Sequence, residues 1–225
     1  MSAFWLKRLS SALPLRTQQE LKRLHFAHEI RCGRFHTSEP EYGRLSEWVT
    51  SGDWVIDVGA NVGHYTARLA QLVGPTGRVL AFEPVPETFE LLASNMAVTG
   101  ARNVSLFNVA ASEQMGVAGI ALPHFDSGLT NYYMAGITSG DGEFKVLTVP
   151  LDRMIPSARI ALVKIDVEGH ELQALRGMRT LLQRDLPRLI VEGASRDVEA
   201  FLGELGYAFT ELAGSPNRLF SAAPG

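Results

Sequence analysis

Cysteine is almost missing from this chain. Cys32 is the single one in 225 residues, so no intrachain disulfide can form, which excludes a stapled secreted scaffold. Long apolar runs are missing too: nothing approaches the roughly 18 uninterrupted apolar residues of a membrane span. The first residues lack the order of a signal peptide, because Lys7 and Arg8 follow the Phe4-Trp5-Leu6 cluster instead of preceding it. A cytoplasmic setting is the default expectation. Repeats and low-complexity tracts are absent. No charge predominates: 21 Lys and Arg against 24 Asp and Glu leave a formal −3, without the basic footprint of a nucleic-acid binder.

What is present is an ordinary globular composition, 46% hydrophobic and 20% charged, enough for one α/β domain with an appendage. The charge is unevenly distributed. Residues 1–34 hold seven Lys or Arg and two Glu, so a basic leader precedes an acidic body. Leu15, Leu21, Leu24 and Phe26 lie among those bases and suggest a helical extension over residues 1–45, followed by a body over 46–225. A helix packed on the edge of a sheet is the favoured reading of this extension. The alternatives are an amphipathic element that covers a cleft, docks a second subunit or makes peripheral contact with an anionic membrane surface.

From residue 53 onward, short β-branched runs alternate with helical periodicity, the pattern of a mostly parallel, doubly wound sheet. Strands are expected at 53–59, 78–83, 103–110, 161–167 and 188–192, with two short terminal strands in YAFTEL and RLF around a Ser-Pro-Asn turn. Helical spacing appears at Leu69, Leu72 and Val73, at Phe89, Leu92, Ala93 and Met96, at Leu172, Leu175, Met178 and Leu182, and at Val198, Phe201, Leu202 and Leu205. Residues 113–149 break the rhythm with glycines and aromatics and read as a hairpin or loop insertion on the substrate side. Such sheets bind ligands beyond the carboxyl ends of their strands, so strand-end residues matter most.

The first strand ends in VIDVGANVGHYT (55–66), a carboxylate, a glycine turn and a helix start in succession. A dinucleotide fingerprint needs Gly at relative positions 1, 3 and 6; counting from Gly59, Asn61 and His64 occupy the last two, so it fails. Asp57 on an apolar strand needs hydrogen bonds or positive charge, and S-adenosylmethionine offers both through its ammonium and sulfonium. Glu83 ends the second strand in AFEP and suits a pair of ribose hydroxyls. The plainer readings are that Asp57 braces its own turn and that Glu83 is a solvated helix-start charge.

With VIDVGANVGHYT, FEPVPETFELLASN (82–95), NVAASE (108–113), VPLDRM (149–154), VKIDVEGHELQALRG (163–177) and IVEG (190–193) in this order, the chain resembles the FkbM-type family of S-adenosylmethionine-dependent methyltransferases. The resemblance implies a Rossmann-like class I methyltransferase fold with a seven-stranded sheet. It also implies O-methylation of a hydroxyl on a sugar, lipid-linked or natural-product acceptor. By motif match Asp57, Gly59, Asn61 and Gly63 line the methionine end, Glu83 holds the ribose, and Pro84 and Ala110 lie near adenine.

On the acceptor side, KIDVEGHE places Asp166 and Glu168 on one face of an extended strand. If the next strand is its neighbour, as the resemblance implies, Glu192 meets Asp166. An alcohol is a poor nucleophile at neutral pH and needs a base or a Lewis acid. His170 is the first candidate base, with His64 and His124 behind it, and Asp166 and Glu168 complete the catalytic set. Carboxylates without an adjacent basic residue also suit Mg²⁺, with Asp166 and Glu192 as its ligands. The plainer reading makes Glu168 a helix cap and has Glu192 accept backbone amides near Ser195. Ser127, Thr130, Asn131, Tyr132 and Tyr133 are candidates for holding a sugar ring. A nicotinamide-dependent oxidoreductase and a non-catalytic S-adenosylmethionine-binding protein are the rival readings. The failed glycine spacing and the missing Tyr-x-x-x-Lys arrangement weigh against the first.

Overall fold

The computed structural model describes residues 13–122, 136–138, 142–155 and 157–223. The candidate acceptor residues Ser127, Thr130, Asn131, Tyr132 and Tyr133, together with His124, lie outside them.

A seven-stranded sheet forms the centre. Its strands are β1 (Trp54–Val58), β2 (Arg78–Phe82), β3 (Val104–Phe107), β8 (Ile160–Ile165), β9 (Arg188–Glu192), β10 (Tyr207–Glu211) and β11 (Asn217–Ala222), in the order β10-β11-β9-β8-β1-β2-β3. β3, β2, β1, β8 and β9 pair in parallel, while β11 is antiparallel to both β9 and β10. The expected seven-stranded, mostly parallel α/β sheet is present.

Helices cover both faces. α1 (Leu15–Arg31), α2 (Pro40–Arg44), α3 (His64–Val73) and α4 (Pro86–Thr99) precede β3, and α5 (Glu171–Arg176), α6 (Arg179–Asp185) and α7 (Arg196–Glu204) follow β8. α3 starts after Gly63 in the left-handed region; α4 starts on a proline and ends at Gly100, also left-handed. Ser195 caps α7 by accepting from the Val198 amide at 3.4 Å.

Three expectations change in detail. The run 103–110 is two strands, β3 and β4 (Ala110–Ala111), which belong to different sheets. The helix expected across 172–182 is interrupted at Gly177, where a Cβ would stand 2.0 Å from the Ser112 carbonyl oxygen. The chain passing there leaves no room for a side chain at Gly177, which lies between α5 and α6. The 113–149 insertion is more than a hairpin: β5 (Gly116–Ala121), β6 (Gly136–Thr138) and β7 (Phe144–Val149) join β4 in a four-stranded sheet of order β4-β7-β5-β6. Its inner residues Ile120, Ile137, Phe144 and Val146 pack with Val85 and Ala110.

α1 rests against α4, with the Arg23 Nε donating to Ser94 Oγ at 3.2 Å. Of its four apolar residues named above, Leu15, Leu21 and Leu24 are exposed, while Phe26 turns inward onto Phe35 and His64. The chain then becomes part of the core, where Glu41 and Leu45 are fully buried.

Strand alternation distributes the site. Ile56, Val58, Val163, Ile165, Leu189 and Val191 form the core under α5, α6 and α7. Val55, Val79, Leu162 and Ile190 face the other way, toward α3. Two residues further along each strand, that same face carries Asp57, Ala81, Lys164 and Glu192, with Asp57 directly opposite Lys164. The α3 face is thus apolar at one end of the sheet and ionic at the other.

Gly59 marks where this end closes. Its φ is +77°, and a Cβ would lie 1.7 Å from the Asp166 backbone oxygen. Gly59→Ala is expected to cost more than about 3 kcal/mol of stability, because both the backbone conformation and the contact forbid a side chain. A denaturant midpoint within experimental error of the parent protein would show that the two strand ends are not in this contact.

Candidate active site

A cleft of about 560 Å³, including its open mouth, lies across the carboxyl ends of β1, β2 and β8. Gly59, Asn61, Glu83, Pro84, Ala110, Asp166 and Glu168 line it, with apolar walls from Val109, Ile120 and Ile137. Seven of the candidates drawn from the sequence therefore share one surface. Asp57, Gly63 and Glu192 lie behind that lining.

Glu83 is almost fully buried, so the solvated reading does not hold. Its Oε2 accepts from the Asn61 amide and its Oε1 from the Val85 amide, both at 2.9 Å. Burial pushes its carboxyl up to about 7, against the opposing pull of those two amides. Asn61 has φ +50°, the left-handed turn that aims its amide at Glu83. Asn108 ties the next strand end to the same place, its Nδ2 donating to the Glu83 and Pro84 carbonyls at 2.8 and 2.9 Å.

Asp57 is fully buried one layer below. Its Oδ2 accepts from the Thr66 hydroxyl at 2.6 Å, whereas Oδ1 has no hydrogen-bond partner among the described residues. Burial raises its pKa, and Lys164 and Thr66 counter only part of that. The brace is made, but half of the carboxylate is left over.

Lys164 is the residue that sequence reasoning missed. Its Nζ donates to Asp166 Oδ2 at 2.7 Å and lies 4.6 Å from the centre of the Tyr65 ring, with its side chain 4% exposed. Burial disfavours this ammonium, yet Asp166 and Asp57 hold its pKa above the ordinary value. Burial likewise opposes the charge on Asp166, but Lys164 and a hydrogen bond with Glu192 keep that carboxyl below its usual range. Glu192 takes the opposite course: the bond to Asp166, then burial, push it up to about 8, so near neutral pH the pair shares one proton. The signal for Lys164 was its place two residues before Asp166 on one strand, hence on the same face.

A second tier holds this ammonium. Tyr65 of α3 donates to Glu39 and, at 3.2 Å, to Glu41; Glu41 also accepts from Asn217 of β11. Glu39 adds further negative charge near Lys164.

The expected Mg²⁺ site does not fit these residues. An ammonium already neutralises Asp166, Glu192 spends its bond on the same carboxylate, and no metal-competent cluster of three or more ligands exists among the described residues. Among the described residues, His170 and His64 do not line the cleft. His170 Nε2 lies 3.0 Å from Ser112 Oγ, and burial lowers its pKa. His64 packs against Phe35 at 4.3 Å between ring centroids, and burial pushes it down to about 4. Glu168 is exposed on the cleft wall at φ +49°, its pKa raised by burial and by Asp166 and Glu171. Glu168 does not cap the α5 start, which has no side-chain cap; Glu171 accepts from the Gly169 amide of the preceding turn at 2.9 Å.

Known proteins resemble this arrangement. Residues 57–209 match the methyltransferase FkbM domain. The hexuronic acid methyltransferase AglP of Haloferax volcanii is 30% identical over 62% of this chain and 55% of its own length. The methyltransferase sdnD of Sordaria araneosa is 25% identical over 71% of this chain and 75% of its own. Among solved structures, a methyltransferase FkbM from Methylobacillus flagellatus KT superposes with TM-score 0.58 at 19% identity, covering 97% of this chain and 58% of that one. An S-adenosylmethionine-dependent O-methyltransferase from Thermotoga maritima gives 0.51 at 16% identity, covering 89% and 72%. At such identities the structural likeness is one of fold. The chain spans just over half the length of the Haloferax relative and of the Methylobacillus structure.

The buried Glu83 has a stability consequence. Its folded pKa lies above the unfolded value of about 4.3, so the folded state binds the proton more tightly and stability falls as pH rises from about 4.3 to 7. Glu83→Gln is expected to remove up to about 4 kcal/mol of that loss, seen as a stability difference from the parent that changes across this window. A difference that stays constant with pH would mean that Glu83 is ionised at no cost.

Proposed function

The chain belongs to the methyltransferase FkbM domain family, and from that premise we propose that it is an S-adenosylmethionine-dependent methyltransferase acting on a sugar hydroxyl. The observation that carries this reading is the charge of the site. Asp57, Glu83, Asp166, Glu168 and Glu192 converge there, and Lys164 is the only base acting on them among the described residues. Such a surplus favours a cationic ligand, and the unpartnered Asp57 Oδ1 adds to it. When bound, S-adenosylmethionine supplies an electrophilic methyl group on a sulfonium. A hexuronic acid methyltransferase among the relatives supports a sugar as the acceptor.

The residues present fit such a donor. Gly59, Asn61 and Gly63 shape the loop at its methionine end, Asp57 contributes charge from below, and Glu83 takes the ribose. Pro84 and Ala110, with Ile120 and Ile137, make an apolar slot for adenine. The unfilled glycine spacing and the missing Tyr-x-x-x-Lys arrangement favour this reading over a nicotinamide cofactor.

The chemistry required of the chain is positioning and proton removal, worth roughly 7–11 kcal/mol and 10²–10⁴ in rate respectively. Lys164 keeps Asp166 anionic on the cleft wall, and Glu192 holds the one proton of the pair. Once Glu192 has lost that proton, the acceptor hydroxyl gives its own to the pair, with Glu168 on the same wall to orient the ring. His170, bonded to Ser112 and away from the cleft lining, is the second candidate base.

The base form of the pair accumulates as pH rises, so kcat/KM should climb up to tenfold per unit below about 8 and level off above it. Glu192→Gln should erase that limb and lower turnover by roughly 10²–10⁴. A limb near pH 6 that vanishes in His170→Ala would assign the role to His170 instead. Turnover should also survive EDTA; loss on chelation and recovery with Mg²⁺ would overturn the role given to Lys164.

A further inference from the structure

The charges that favour a cationic donor also constrain what can stand beside it. Glu83, Asp166 and Glu168 face the cleft, Glu192 and Asp57 stand behind them, and Glu171 adds negative charge near Glu168. The one opposing base among the described residues, Lys164, is buried and engaged with Asp166 at 2.7 Å, so it is not available to an incoming anion. The sequence supplies none nearby along the chain: between Arg102 and Lys145, a span that includes β3 to β6, there is no Lys or Arg. Recognition of a carboxylate normally rests on an Arg fork or a Lys point charge.

On the methyl-transfer reading above, we infer that this site takes an uncharged or amine-bearing sugar hydroxyl and refuses a carboxylated one. The acceptor class thus departs from the hexuronic acid named for the Haloferax relative, although both are sugars. A carboxylate next to the reacting hydroxyl would meet Glu168, which no base offsets among the described residues, and Asp166, whose ammonium is already engaged. Like charges brought together in this way suppress productive binding by roughly 100-fold.

The full chain with S-adenosylmethionine tests this on four methyl β-glucopyranosides: the parent, the 2-amino derivative, the glucuronic acid and the glucuronamide. S-adenosylhomocysteine release is the readout. The amide matches the acid in shape without its charge. The parent, the amine and the amide should turn over, with kcat/KM for the acid roughly 100-fold below the amide. In Glu168→Gln the acid-to-amide gap should narrow by roughly 3- to 10-fold. Acid equal to or better than amide overturns the inference, as does a gap that Glu168→Gln leaves unmoved. Calorimetry with S-adenosylmethionine alone separates the premise: no donor binding sinks the methyl-transfer reading itself. Donor binding without turnover of any of the four overturns the sugar acceptor and this inference together.

Discussion

The ion pair between Lys164 and Asp166 is the contact on which the site depends. A lysine with its side chain 4% exposed carries a large desolvation cost and stays charged only because Asp166 and Asp57 surround it. That charge in turn decides the protonation of the others. It keeps Asp166 ionised, and Asp166 forces Glu192 to hold a proton well above its ordinary range. Removing one partner from such a buried pair costs roughly 3–5 kcal/mol in other proteins, so stability and chemistry are linked at one point.

Around that pair the fold builds two different walls. Toward α3 the sheet turns ionic at its carboxyl end, braced by Tyr65, Glu39, Glu41 and Asn217 from three separate parts of the chain. On the other side the small sheet β4-β7-β5-β6 brings Ile120 and Ile137 over the mouth of β2 and β3 and makes that wall apolar. A ligand with one cationic and one flat apolar end suits this division. The backbone is drawn close for the same purpose, since at Gly59 the first loop touches Asp166 too tightly for any side chain.

Much of this was legible in the sequence. Strand runs ending in Asp57, Glu83, Asp166 and Glu192 predicted both the sheet and the carboxylates at its active edge. Less legible were features without a local signature. The close approach at Gly177, between α5 and α6, is made by Ser112, far away in sequence. The second sheet comes from pairings across the insertion, and short strands interrupted by glycine carry little periodicity. His170 is the natural base by its intrinsic pKa; the fold sets its Nε2 3.0 Å from Ser112 Oγ, a contact no local pattern announces.

By itself the sequence determined which residues alternate with the buried runs, and so which acids could share a face, because the two-residue period of a strand is local. Only the tertiary structure decided what those acids do. Lys164 reads as one more charged residue in a motif until β1 and β8 set it opposite Asp57, and Glu192 reads as a plain carboxylate until β9 brings it to Asp166. Protonation in a low-dielectric interior depends on distance and burial. Neither quantity exists until the strands are side by side.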